Sequence, residues 1–67
     1  MSEAVKLIVD AYVSLKDRVA IEELREHRQA LRKTLQATTN GVFDPSYLTR
    51  VIDGDLEAIE AGLERLQ

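Results

Sequence analysis

One turn signal divides this chain of 67 residues into two helical patterns of unequal length. Asn40-Gly41 is a left-handed helix stop, and Asp44-Pro45 suits the N-cap and first position of a following helix. No Gly or Pro precedes this signal. The sequence therefore predicts an all-α fold, a two-helix antiparallel hairpin with a long first helix. The predicted segments are a helix over about residues 3–38, a turn over 39–44 and a helix over about 45–66, in one domain spanning 1–67.

The two predicted helices differ in length by almost twofold. At a rise of about 1.5 Å per residue, the first would be about 54 Å long and the second about 33 Å. Matching residues outward from the turn places Leu24 beside Ile59 and Ile21 beside Leu63. The second helix then ends near the level of Val19. The hairpin leaves the apolar first half of the long helix without a partner in its own chain.

The uncovered half predicts self-association. A domain this small has a marginal core and usually depends on disulfides, a metal or oligomerisation. The chain has no Cys, and the single His27 cannot hold a metal alone. We therefore expect a homodimer that packs as a helical bundle, such as a four-helix bundle. The expected self-association stripe, with spacings of three and four, consists of Val5, Ile8, Tyr12, Leu15 and Val19.

Two other arrangements of residues 4–16 remain open. Apolar residues alternate from Val5 to Leu15, which is also a strand pattern. Ser14 and Asp17 could then cap a helix beginning near Leu15. The dimer would resemble the ribbon-helix-helix proteins, although the strand lacks side chains suited to reading DNA. Alternatively, a monomeric chain would fold back near Ser14 to cover its own apolar half.

Two glycines on one side of the second helix predict a further helix contact. Gly in a helix costs about 1 kcal/mol relative to Ala, so its repetition on one face suggests close approach of another helix. The alternative is a helix break at Gly54. The expected second contact face consists of Val51, Gly54, Ala58 and Gly62.

Four arginines share one side of the first helix and form a candidate partner-binding surface. They could bind an acidic protein or a phosphate, or they could pair with acidic residues of the second helix. The net charge of −3 disfavours nonspecific binding to nucleic acid. The four residues are Arg18, Arg25, Arg28 and Arg32.

The sequence offers no constellation for catalysis, a cofactor or a metal. With one His and no Cys, no nucleophile–His triad can form, and no Gly-rich phosphate loop is present. Glu23 and His27 are four residues apart, whereas the di-metal sites of helical bundles use Glu-x-x-His. Asp53-Gly54-Asp55 lacks the remaining ligands of a calcium loop. We expect no catalytic, cofactor-binding or metal residues, and no enzyme activity.

These patterns favour a small, acidic, non-catalytic protein–protein interaction module, acting as an adaptor, accessory protein or inhibitor. One alternative is a phage-type or plasmid-type subunit that folds or docks onto a larger protein. Another is weak nucleic-acid binding through the arginines. No apolar run approaches the 18 or so residues of a membrane span, and the start lacks the basic region of a signal peptide. We expect a cytoplasmic protein, or a virion protein if it is phage-derived, with no small-molecule substrate.

Overall fold

The computed structural model describes residues 3–38 and 44–67. It contains three helices: α1 (Glu3–Ser14), α2 (Arg18–Ala37) and α3 (Ser46–Arg65). The all-α prediction is confirmed, and the strand interpretation of residues 4–16 is wrong. The two-helix hairpin is also wrong, because the predicted long helix is two helices. The longest dimension of the molecule is 42 Å, which is shorter than the roughly 54 Å that one continuous helix would need.

A tight backbone turn separates α1 from α2. Lys16 has a left-handed backbone conformation, with a φ of 56°. The Asp17 N–H donates to the Tyr12 carbonyl at 2.9 Å, and the Lys16 N–H donates to the Val13 carbonyl at 3.0 Å. These two bonds make a Schellman motif, which usually has Gly at the left-handed position. Here that position is Lys, so the usual sequence signal for a helix end is missing.

Asp17 also starts the next helix. Its side chain accepts a hydrogen bond from the Ala20 backbone N–H at 3.1 Å, which is an N-cap contact. One residue therefore completes the end of α1 and begins α2. The chain reverses just after Ser14, at the place where the sequence allowed a fold-back.

Replacing Lys16 with Gly is expected to stabilise the fold by about 1 kcal/mol, because Gly has no Cβ to oppose the left-handed conformation. Urea unfolding of dilute protein followed by circular dichroism would measure the change. Ser14→Gly is the matched control. It is the last residue of α1, where Gly should instead destabilise the helix by about 0.5 kcal/mol relative to Ser. Equal destabilisation by both variants would contradict the left-handed turn.

Helices α2 and α3 form the antiparallel pair that the turn signal predicts. Ile21 and Ile59 are fully buried and belong to one core cluster with Leu63, and Leu24 packs against that cluster. This agrees with the register counted outward from the turn.

The two helices are less well covered toward the end of α2 and the start of α3. Leu31 is 44% exposed and Leu48 is 42% exposed. The main core therefore lies toward the other end of the pair, where α2 begins and α3 ends.

Helix α1 folds onto that end of the pair. Val5 and Val9 are buried in the same cluster as Ile21, Ile59 and Leu63. The expectation that this part of the chain has no intrachain partner is therefore wrong for these two valines. The partly buried side chains that pack against the cluster are Tyr12, Val13, Leu24, Leu56 and Leu66.

Helix α3 starts one residue later than predicted, at Ser46, with Pro45 at its N-cap position. The Asp44 carboxylate accepts the Ser46 backbone N–H at 3.0 Å. This backbone hydrogen bond, helped by a Ser46 side-chain bond and the Arg50 charge, holds the pKa of Asp44 below the ordinary 3.8. The predicted stop at Asn40-Gly41 lies outside the described residues.

Candidate interaction surface

Helix α1 is apolar on two opposite sides. Its inner side packs against α2 and α3 through the buried valines. Successive side chains of a helix are about 100° apart, and this spacing gives a second set of apolar residues that faces away from the core. Leu15 extends this set beyond the last helical residue, because its N–H still bonds the Ala11 carbonyl at 3.0 Å. We name the set the α1 outer face: Ala4, Leu7, Ile8, Ala11 and Leu15.

The α1 outer face is open to solvent. Leu7 is 67% exposed, Ile8 is 43% exposed and Leu15 is 73% exposed. The two alanines are exposed as well. A helix that is apolar around most of its circumference normally belongs in an interior. The three-helix fold covers only one side of this one.

The structure divides the five residues of the expected self-association stripe. Val5 lies in the chain's own core, and Tyr12 packs half-buried against that core. Ile8, Leu15 and Val19 are exposed. Leu7 is exposed too but lies outside that stripe. Its spacing of three from Ala4 and four from Ala11 is the signal that could have identified it.

Gly62, in the expected second contact face, lies where α1 meets α3. A Cβ atom at this position would clash with Val9 Cγ1 and lie 3.6 Å from Val13 Cγ2. A helix does approach closely at Gly62, and it is α1 of the same chain. Val51, Gly54 and Ala58 are half-buried. Helix α3 runs through Gly54 without interruption, so the predicted alternative of a break is wrong.

All four arginines of the candidate partner-binding surface lie beside carboxylates of their own chain. Three of the pairs join α2 to α3, and the fourth lies within α2. Three of the pairs are largely exposed and stabilise a fold by little, whereas Asp55 of the fourth pair is buried. All four offset the positive charge that a phosphate would need. The pairs are Arg25–Glu60 at 3.2 Å, Arg28–Asp55 at 3.3 Å, Arg32–Asp53 at 2.8 Å and Arg18–Glu22 at 3.3 Å.

Asp55 is the one buried charged residue among the described residues, at 4% exposure. Arg28 Nε lies 3.3 Å from its Oδ2 atom, and its Oδ1 atom has no hydrogen-bond partner. The sequence did not predict this pairing. The available signal was spacing, because Asp55 lies three residues after Ile52 and four before Ile59, on the core side of α3.

Arg32 makes a different kind of contact. Its Nε atom lies 2.8 Å from Asp53 Oδ1 but has no hydrogen-bond partner, so the two groups form an ion pair without a hydrogen bond at that nitrogen.

Arg32 also lines an open groove of about 590 Å³ along α2. The other lining residues are Glu26, Gln29, Ala30, Lys33, Gln36 and Leu56. This groove is lined by acidic, basic and neutral side chains, so its charge favours no particular class of ligand.

Neither metal-binding nor membrane-spanning features occur in the part of the chain that the structure describes. There, no three His, Cys, Asp or Glu side chains are grouped so that they could hold an ion. None of the three helices is long and apolar enough to cross a membrane.

The chain matches no protein-family model, no curated protein and no solved structure. Among the described residues, the α1 outer face is the most distinctive feature of the protein's surface.

Proposed function

We propose that this chain is a non-catalytic helical interaction module that forms a homodimer through the α1 outer face, and that it serves as an adaptor, accessory protein or inhibitor. The observation that supports this proposal is the exposed apolar row on α1. Leu7 and Leu15 are each about two-thirds or more exposed. Full burial of such a side chain is worth about 1.5–3 kcal/mol, so an assembly that covers the row gains stability.

A second copy is the partner that best suits a chain this small. Among the described residues, only six apolar side chains are buried: Val5, Val9, Ile21, Ile52, Ile59 and Leu63. Small domains with limited cores are commonly stabilised by association. A two-fold contact needs only one surface patch, because each copy presents the same face to the other.

The alternative occupants of this face have less support. Docking onto a larger phage-type or plasmid-type protein would use the same residues, but nothing in the molecule specifies that partner. Nucleic-acid binding would use the arginines, whose charges are offset by neighbouring carboxylates. We therefore favour self-association.

Replacing Leu7 with Asp is expected to weaken dimer formation strongly, because each dimer would bury two unpaired carboxylates. Light scattering coupled to size exclusion, over a concentration series, would give the molar mass in solution and so the fraction of dimer. The α1 outer face belongs to one short helix and would make a small interface, so we expect a wild-type dissociation constant in roughly the micromolar range. We expect Leu7→Asp to weaken the dimer by about 100-fold or more, with helix content unchanged.

Gln29→Asp is the matched control, since it makes the same charge change at an exposed position on α2. A wild-type protein that stays monomeric at several hundred micromolar would contradict the proposal, as would a Leu7→Asp protein that dimerises normally. A polydisperse wild-type protein would favour the alternative in which a larger partner covers the face.

A further inference from the structure

We propose that the two copies meet with their α1 helices antiparallel across a two-fold axis. In this arrangement Leu7 of each copy packs against Ala11 of the other, and Glu3 of each copy pairs with Lys16 of the other. The inference rests on the proposed function and adds the geometry of the contact.

Side-chain size along the α1 outer face favours the antiparallel arrangement. The central row is small, large, small, large: Ala4, Leu7, Ala11, Leu15. A two-fold axis midway between Leu7 and Ala11 places Leu7 of each copy against Ala11 of the other, and Leu15 within one residue of the level of Ala4. A parallel arrangement would instead place Leu against Leu and Ala against Ala, leaving gaps at the alanine layers. Close-packed interfaces alternate large and small residues across the contact.

The charges at the two ends of this face favour the same arrangement. Glu3 begins α1 and Lys16 follows its end, about 20 Å away at the helical rise. Neither residue forms an ion pair within the described parts of the chain, whereas Asp10 is already paired with Arg65 at 2.8 Å. Antiparallel helices place each Glu3 beside a Lys16 of the other copy. Parallel helices would place like charges together.

The rest of the fold permits this contact. Helices α2 and α3 lie on the inner side of α1, where Val5 and Val9 are buried. A two-fold axis at the outer face therefore leaves the two helical pairs on opposite sides of the interface, so they do not obstruct each other.

Charge reversal tests the arrangement. Glu3→Lys and Lys16→Glu, measured separately by sedimentation equilibrium at about 50 mM salt, should each weaken the dimer by about 5–10-fold, because both end pairs become repulsive. The double variant should return to within about twofold of wild type. Glu57→Lys and Lys33→Glu are the matched controls, as exposed residues with the same charge changes, and should leave the dimer unchanged.

Crosslinking gives a second readout, because the wild-type chain has no Cys. An equimolar mixture of Leu7→Cys and Ala11→Cys proteins, oxidised gently, should give mainly the mixed disulfide. Mainly self-linked products would show that the helices are parallel.

The outcomes separate the two proposals. Unchanged affinity in both charge-reversal variants, together with a monomeric Leu7→Asp protein, would overturn the antiparallel geometry and keep the homodimer. A wild-type monomer, or a Leu7→Asp protein that dimerises with the wild-type affinity, would overturn both.

Discussion

Gly62→Leu is expected to detach α1 from α3 and to lower the free energy of unfolding by about 3 kcal/mol. A Cβ atom at Gly62 would already clash with Val9 Cγ1. Val9 cannot easily turn away, because a β-branched side chain has one strongly preferred rotamer in a helix. Overpacking of this kind typically costs about 1–3 kcal/mol, and Leu adds three more carbon atoms. Urea unfolding followed by circular dichroism would measure the loss.

Two further variants show whether the loss comes from the α1–α3 contact. Ala61→Leu is the control, since Ala61 is exposed next to Gly62 and should tolerate the larger side chain. Combining Gly62→Ala with Val9→Ala should cost less than the sum of the two single changes, because the smaller side chain makes room for the new methyl group. If Gly62→Leu unfolds like wild type, α1 does not pack where the structure places it.

Arg28→Met is expected to lower the free energy of unfolding by about 3 kcal/mol, the typical cost of leaving a buried charge without its partner. Asp55 is 4% exposed, and its Oδ1 atom already lacks a hydrogen bond. Removing Arg28 would take away the cation beside Oδ2 as well. Thermal and urea unfolding would both report the change.

Arg32→Met provides the comparison, because its partner Asp53 is exposed and such pairs contribute about 0–1 kcal/mol. The double variant Arg28→Met with Asp55→Leu should be as stable as wild type or more so, since apolar side chains of similar size often replace buried ion pairs without loss. If Arg28→Met lowers the free energy of unfolding by no more than Arg32→Met does, Arg28 does not stabilise the buried Asp55 carboxylate.

The pairing of α2 with α3 could be predicted because its signals are local and periodic. Asp44 and Pro45 mark the start of α3, and the apolar spacing fixes which side of each helix faces inward. Counting outward from the turn placed Ile21 near Leu63, and both belong to the core. Asp55 was harder to interpret, since a buried carboxylate depends on a partner that is distant in the sequence.

The break between α1 and α2 could not be predicted in the same way. Its left-handed residue is Lys16, and a chain with no Gly or Pro before residue 41 reads as one helix. Folding α1 back onto α2 and α3 is favoured over one continuous helix because it buries Val5 and Val9 within the chain. Gly62 did signal close approach of a helix, but a single sequence does not say which helix approaches. The spacing of Leu7 from Ala4 and Ala11 signalled a second apolar side of the helix, but which side faces the core depends on the fold-back.

The short length of α1 has a consequence for how the molecule opens. Its 12 residues cover the end of the α2–α3 pair around Ile21 and Ile59, while the end around Leu31 and Leu48 has no third helix in the described structure. Local opening is easiest where few apolar side chains are buried. We therefore expect the amides around Ile21 and Ile59 to exchange with solvent only on global unfolding. The opposite end of the α2–α3 pair should fray and re-form while the α1 outer face stays intact.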